Sequence, residues 1–320
     1  MRAPEWWARD GGLARLLAPF GWAYGLGARL RHGLGRPWQA PLKVICVGNL
    51  VAGGAGKTPV TMAVAERLIA KRRVVHVLGR GYGGRLVGPV RVDPARHDAS
   101  EVGDEALLLA AVAPTWIGRD RRAGAKAAAD VGAQVLILDD GYQDPSLAKD
   151  LSLVVVDGGF GFGNGRLIPA GPLREPVATG LARASAIVLI GPDSSGVGST
   201  LSASGKPVLR ARVAADGTAW RGRPVVAFAG IGRPEKFFTT LAETGARIVR
   251  TQAFADHHPY SPAEIDALKR SAATAGATLV TTAKDRVRIP EAARSGVEVL
   301  TVHLEWEDQG ALDRLLEPIA

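Results

Sequence analysis

Val44-Ile45-Cys46-Val47-Gly48-Asn49-Leu50-Val51-Ala52-Gly53-Gly54-Ala55-Gly56-Lys57-Thr58-Pro59 is the stretch from which the rest of the 320-residue chain can be read. It opens on a short apolar, β-branched run, Val44–Val47, that reads as a buried strand. It closes on a glycine-rich turn and Lys-Thr, at the entrance to an alanine- and leucine-rich segment of helical length. Glycines let backbone N–H groups curl around phosphate oxygens, and a helix N-terminus adds a favourable dipole. In such a loop Lys57 reaches the β- and γ-phosphates, and the Thr58 hydroxyl binds magnesium. The strict pattern has a glycine five positions before Gly56, where Val51 stands. The Gly-Lys-Thr core between strand and helix outweighs that difference. The expected nucleotide loop is therefore Val51, Ala52, Gly53, Gly54, Ala55, Gly56, Lys57 and Thr58.

On either side of this loop, β-branched runs alternate with helical stretches. Val74–Leu78, Val135–Leu138, Leu153–Val156 and Ala186–Ile190 read as further strands. Pro59–Ala70, Glu105–Ala113 and Arg121–Val131 read as helices. This pattern predicts an α/β fold of P-loop NTPase type, with a mostly parallel sheet flanked by helices. Gly191–Lys206, rich in Gly and Ser, reads as a linker or long surface loop. Beyond it Val225–Gly230, Ile248–Thr251 and Leu279–Thr282 alternate with helices at Pro234–Thr244 and Pro262–Ala275, which predicts a smaller α/β domain. The expected organisation is a segment at 1–36, a P-loop domain at 37–205 and the smaller domain at 206–320.

Composition narrows the partners. Hydrophobic residues at 47% and charged residues at 22% suit a packed core and exclude wholesale disorder. Forty Lys and Arg against 31 Asp and Glu leave a net charge of +9, which points to an anionic partner. The single cysteine, Cys46, excludes a disulfide framework and a thiolate metal site within one chain, fits a reducing cytoplasm, and reads as a small buried hydrophobe. No stretch of about 18 apolar residues reads as a spanning helix. Between Pro4 and Leu30, Trp6, Trp7, Phe20, Trp22 and Tyr24 are mixed with leucines and with Arg9, Arg15 and Arg29. That mixture suits an N-terminal amphipathic helix lying in the headgroup region of an anionic membrane. No basic helix with base-reading spacing is present, and the aromatics do not alternate with arginines on a strand, so nucleic acid is not the expected partner.

The chemistry needs more than a phosphate loop. Val135-Leu136-Ile137-Leu138-Asp139-Asp140 is an apolar run ending in two acids, the pattern of a strand that delivers a carboxylate to magnesium. No second lysine stands early in the loop and no Asn-Lys-x-Asp guanine reader is found, since Thr282-Ala283-Lys284-Asp285 has lysine and aspartate adjacent. Both absences favour ATP and group transfer. Transfer to a hydroxyl needs a proton acceptor. The residues leave Asp104, Glu105 and the pair His257-His258 as candidates.

In order along the chain stand Val47-Gly48-Asn49-Leu50 before the loop, Arg80-Gly81-Tyr82-Gly83-Gly84, Gly103-Asp104-Glu105, and Asp139-Asp140-Gly141-Tyr142-Gln143. They are followed by Asn164-Gly165, Pro169-Ala170-Gly171-Pro172-Leu173-Arg174-Glu175, Phe228-Ala229-Gly230-Ile231-Gly232 and Asp256-His257-His258. Together they resemble the tetraacyldisaccharide 4′-kinases, the lipid A kinases of Gram-negative bacteria. The resemblance spans nearly the whole chain. It implies transfer of the γ-phosphate of ATP to the 4′-hydroxyl of a tetraacylated glucosamine disaccharide 1-phosphate, giving lipid IVA. It implies Asp104 as catalytic carboxylate, assisted by His257 from the second domain and by Lys57. It also implies magnesium served by Thr58, Asp139, Asp140 and Glu105, and a site lined by Gln143 and Arg174. The implied location is the cytoplasmic face of the inner membrane, without a spanning helix. Asp144 and Ala283 depart from the family pattern and are assigned no role. Two other readings share the P-loop: a kinase or amide-forming ligase for a soluble metabolite, and a membrane-recruited ATPase switch with no phosphoryl acceptor.

Overall fold

A computed structural model of the chain describes residues 4–319, apart from the side chains of Glu5, Arg31, His32 and Leu34. In chain order its elements begin with α1 (Gly12–Leu34), β1 (Lys43–Gly48), α2 (Lys57–Ala70), β2 (Val75–Gly79), β3 (Val90–Arg91), α3 (Ala99–Val102), α4 (Asp104–Ala110) and β4 (Thr115–Ile117). Next come α5 (Arg121–Asp130), β5 (Val135–Asp139), β6 (Leu151–Asp157), α6 (Val177–Ala182), β7 (Ala186–Ile190), α7 (Gly198–Ala203) and β8 (Val208–Ala215). The remainder is β9 (Pro224–Ala229), α8 (Pro234–Glu243), β10 (Arg247–Ala253), α9 (Pro262–Thr274), β11 (Thr278–Thr282), α10 (Ala283–Arg286), β12 (Val297–Leu300), β13 (Val302–Trp306) and α11 (Gln309–Leu316).

Among the described residues these strands form two sheets. Nine strands run in the order β13-β8-β7-β6-β1-β5-β2-β4-β3, and four in the order β10-β9-β11-β12. The small sheet is parallel throughout, and only the edge strands β3 and β13 of the large one run antiparallel. The α/β fold expected from the alternation is the one observed. Beyond Lys43, β1, β5, β6 and β7 are buried along their whole length and mostly apolar, because helices cover both faces of the sheet. Val44 and Cys46 face one layer of core, Ile45 and Val47 the other. Cys46 is a fully buried core residue, and burial pushes its thiol up to about 11.

The small-domain boundary expected at 205/206 is not where the sheets divide. Gly191–Lys206 contains α7, and β8 beyond it pairs with β7 in the large sheet. The chain then builds the small sheet and returns, with β13 pairing antiparallel to β8. After β13, α11 carries Leu312 and Leu316 into the large sheet's core, against α2. A glycine- and serine-rich loop marks a change of direction, and carries no information on which sheet the next strand joins.

Helix α1 is apolar on the wrong side for a helix packed only on its own protein. Its inward residues are small: Ala14, Gly21 and Gly25 are buried. A Cβ at Gly25 would come within 2.6 Å of Leu167 Cδ1, so glycine is what permits the close approach. The large side chains Leu16, Phe20, Trp22, Leu26 and Leu30 are exposed, Trp22 at 76%. Ahead of α1, the indole N–H groups of Trp6 and Trp7 donate to Pro169 O, which ties the opening turn to the loop after β6. Among the described residues no helix is long and apolar enough to cross a membrane.

Candidate active site

Two parallel neighbours set the floor of the site. β1 and β5 are in register with Val47 beside Asp139, so the loop after β1 and the acids after β5 leave the sheet at the same edge. Gly53 (φ +121°) and Gly56 (φ +86°) take left-handed conformations that other residues adopt at a cost, and Gly56 caps α2. α2 starts at Lys57, two residues earlier than expected; Pro59 fits within the first turn, where a missing N–H leaves no intrahelical bond broken. Lys57 is thus on the opening turn, with Nζ 3.7 Å from Asp140 Oδ1. Thr58, half-buried, follows it on the same turn.

The two acids have opposite environments. Asp140 sits at φ +54° and is gripped by Arg174, with Nη1 2.8 Å from Oδ1 and Nη2 3.2 Å from Oδ2. Burial favours its neutral form, but Lys57 and Arg174 outweigh that and hold the carboxyl below the usual range. Asp139 is buried and accepts a hydrogen bond from Thr61 Oγ1 at 2.9 Å. Burial first, and the charge of Glu105 second, push it up to about 7, against the pull of Lys57. One acid is therefore paired with cations at close range, while the other feels Lys57 only at longer range and forms no salt bridge among the described residues. Among the described residues no three acidic, histidine or cysteine side chains converge as a ready-made metal cage. Magnesium in phosphate sites takes one or two carboxylates and leaves its other positions to phosphate and water. The oxygens of Asp139, Asp140, Glu105 and Thr58 are the kind such a site takes, and each of the three carboxylates also has a protein partner, Thr61, Arg174 and Lys284 respectively.

Gln143 and Arg174 belong to the wall beside this floor. Gln143 Nε2 donates to Asn49 O (2.9 Å) and Glu175 Oε1 (3.0 Å), and Arg174 Nη1 reaches Gln143 Oε1 at 3.3 Å. These bonds tie the strand-to-loop corner at Asn49 to the segment carrying Arg174.

Across from the floor, the small sheet brings its loops to Asp104. Gly103 (φ +85°) turns the chain so that Asp104 begins α4, and Asp104 Oδ1 accepts the Glu105 N–H at 2.9 Å. Its other oxygen, Oδ2, lies 2.9 Å from His257 Nδ1, 3.4 Å from Arg288 Nε and 3.9 Å from Lys284 Nζ. Burial alone would raise this carboxyl; His257, Lys284 and Arg288 hold it below its ordinary value. Lys284 also pairs with Glu105 at 3.1 Å. The two histidines separate cleanly. His257 meets Asp104, whereas His258 lies 3.0 Å from Glu264 and stacks on Phe254 at 4.7 Å between ring centres.

A family model described as tetraacyldisaccharide-1-P 4′-kinase matches residues 13–320. The chain belongs to the tetraacyldisaccharide-1-P 4′-kinase family. It is 57% identical to the tetraacyldisaccharide 4′-kinase of Rhodospirillum centenum, with 100% of this chain and 97% of the relative aligned. It is 54% identical to that of Paramagnetospirillum magneticum over 100% of this chain and 99% of the relative. In three dimensions it resembles LpxK from Aquifex aeolicus, solved in complex with ATP, at a TM-score of 0.78 and 28% identity, covering 96% and 99% of the two chains.

Within this tetraacyldisaccharide-1-P 4′-kinase chain, the residues singled out from sequence lie along two fronts, except His258, which turns to Glu264 and Phe254. Val51–Thr58, Asp139, Asp140, Gln143 and Arg174 form one; Asp104, Glu105 and His257 form the other. Sequence reasoning missed Lys284, Asp285 and Arg288. The string Thr281-Thr282-Ala283-Lys284-Asp285 reads in the sequence as a failed guanine reader and as a family motif altered at Ala283, and the i, i+3 spacing of Asp285 and Arg288 is the available signal for a role of its own. It also missed Asp157 at the end of β6, which pairs with Arg233 (2.7 Å) and Lys236 (2.5 Å) at the start of α8.

Proposed function

We propose that the protein transfers the γ-phosphoryl group of ATP to the 4′-hydroxyl of a tetraacylated glucosamine disaccharide 1-phosphate, giving lipid IVA. The main support is the buried Asp104 carboxylate paired with His257 Nδ1 at 2.9 Å, next in sequence to the Glu105 whose charge acts on Asp139. O4′ attacks the γ-phosphorus, the bond to the bridging oxygen breaks, and ADP leaves. The hydroxyl proton goes to Asp104. Phosphoryl transfer has a loose transition state in which the acceptor loses its proton late, so a carboxylate held below its ordinary pKa suffices as acceptor. Because Asp104 is kept ionised, His257 carries its proton on Nδ1 and orients the carboxylate through that bond. Lys57 places positive charge on the migrating group.

Magnesium, with Thr58, Asp139, Asp140 and Glu105 as the protein groups suited to it, would neutralise charge on the ATP phosphates. Asp140, paired with Lys57 and Arg174, also sets the position of the lysine. The exposed Leu16, Phe20, Trp22, Leu26 and Leu30 of α1, with Arg15 and Arg29 exposed among them, suit the headgroup region of an anionic membrane. The lipid substrate is there, and the reading places the enzyme at the cytoplasmic face of the inner membrane as a peripheral or monotopic protein.

The test is label transfer from γ-labelled ATP to the tetraacyl disaccharide 1-phosphate in mixed micelles. Labelled lipid is expected. No transfer by folded protein, with an authentic lipid kinase active in the same assay, overturns the proposal. An ATPase switch would hydrolyse ATP without labelling lipid and would keep that hydrolysis after Asp104→Ala.

A further inference from the structure

Behind the Asp104–His257 pair lies a buried network that the transfer step does not itself use. The Asp285 carboxylate is fully buried and accepts from Gly230 N–H (2.8 Å), Tyr260 OH (2.7 Å), Thr282 Oγ1 (2.6 Å) and Arg288 Nη2 (2.9 Å). Arg288, with its side chain 5% exposed, spends the rest of its donors on nearby carbonyls. Nη2 donates to Gly230 O (2.9 Å), Nη1 to His258 O (3.3 Å) and Nε to Lys284 O (3.1 Å). Residue 230 is therefore held at both of its backbone groups, its N–H by Asp285 and its C=O by Arg288. That same carbonyl accepts the His257 N–H at 3.0 Å. His257 itself is at φ +58°, a left-handed conformation that a histidine keeps only where its surroundings impose it.

We propose that Arg288 is a positioning residue for the phosphoryl transfer. It clamps the carbonyls of Gly230 and His258 around the left-handed His257, and lays its guanidinium 3.4 Å from Asp104 Oδ2. The meeting of Asp104 and His257 is thereby set by one planar fork of donors. A lysine cannot reproduce that fork, because its single ammonium cannot reach two carbonyls and a carboxylate from one plane. The inference rests on the reading of Asp104 and His257 as the proton-handling pair. The competing explanation is that Asp285 and Arg288 merely staple the small sheet together.

A double-mutant cycle on the full chain separates the two. Arg288→Gln is expected to lower kcat about 10- to 100-fold, with KM for ATP and for lipid within about twofold of wild type. In a His257→Ala background the same change is expected to cost less than about threefold, because the group it positions is gone. Arg288→Lys is expected to behave like Arg288→Gln. Equal losses in both backgrounds, a loss that resides in KM, or full activity in Arg288→Lys overturns the role. Should Arg288→Gln fail to fold, Tyr260→Phe removes one donor from Asp285 and carries the same cycle. A kcat loss that disappears with His257→Ala supports the role, and one that persists unchanged, or no loss at all, overturns it. An inactive wild-type protein would instead overturn the kinase reading, so the two failures are distinguishable.

Discussion

His257 Nδ1 lies 2.9 Å from Asp104 Oδ2, although the two residues are 153 positions apart, Asp104 opening α4 beside the large sheet and His257 on a loop of the small one. A contact of this kind exists only while the small sheet is held over the large one. The proposed chemistry thus draws on two fronts, one with the Gly-Lys-Thr loop and the other presenting the partner of the carboxylate.

Asp104→Asn keeps the shape of the side chain and removes its capacity to take a proton. It is expected to lower kcat by roughly 10²- to 10⁴-fold and to leave KM for ATP nearly unchanged. Steady-state kinetics with ATP varied at saturating lipid checks this. A pure rise in the KM for ATP would make Asp104 a nucleotide ligand.

Lys57→Ala takes charge from the migrating phosphoryl group and also leaves Asp140 paired with Arg174 alone of these two cations. Turnover is expected to fall by roughly a thousandfold or more, with the fold retained. Single-turnover transfer measured beside circular dichroism tests it, and near-normal turnover would mean that the loop does not hold phosphate.

The outward face of α1 gives a prediction independent of catalysis. Phe20→Ser, Trp22→Ser and Leu26→Ser together should release the protein from sedimenting anionic vesicles, since the exposed apolar area that would enter the headgroup region is lost. Thermal stability should change little, because exposed substitutions away from packing contacts are each worth about 0.5 kcal/mol or less. Unchanged sedimentation would move the membrane contact elsewhere.

α11 fastens to α2 through charge and through packing. Asp313 accepts from Arg67 Nε at 2.7 Å and pairs with Lys71 at 3.3 Å, and these cations, Arg67 foremost, depress its carboxyl to about 2. A depressed carboxyl stabilises the fold above its unfolded pKa and ceases to do so as the pH falls through the folded value. The small stability difference between wild type and Asp313→Asn should therefore be present at neutral pH and fade between about pH 4 and pH 2. Leu316→Ala, at a fully buried position, should cost about 2–5 kcal/mol at any pH. Chemical denaturation at several pH values measures both, and a Leu316→Ala cost below 1 kcal/mol would show that the helix does not pack as described.

Much of the fold was legible because its central strands are apolar on both faces and its phosphate loop must be rich in glycine. Val44–Val47 and Val135–Leu138 announce buried parallel strands whatever surrounds them. The edges were harder. Val302 and His303 in β13 are exposed, so the strand lacks the continuous apolar run that betrays a central one, and its partner β8 is distant in sequence. In the site, Lys57 and Asp139 stand where local pattern puts them, at the end of a glycine turn and at the end of a strand. Arg288 could not be found that way. Its meaning comes from three carbonyls and two carboxylates supplied by separate segments, and apart from the i, i+3 spacing to Asp285 none of those contacts leaves a mark on the residues beside it. The choice between His257 and His258 is of the same kind, since adjacent residues of one type differ only in what the folded chain turns toward each.

The return of β13 to the large sheet has a consequence for biogenesis. The ribosome makes α1 and the phosphate loop early, then the whole of the small sheet, and only afterwards the strand that completes the large one. A nascent chain can therefore present its greasy N-terminal helix to the bilayer well before it can hold together a working cleft. Whatever the outward face of α1 binds is therefore open to the chain before catalysis is.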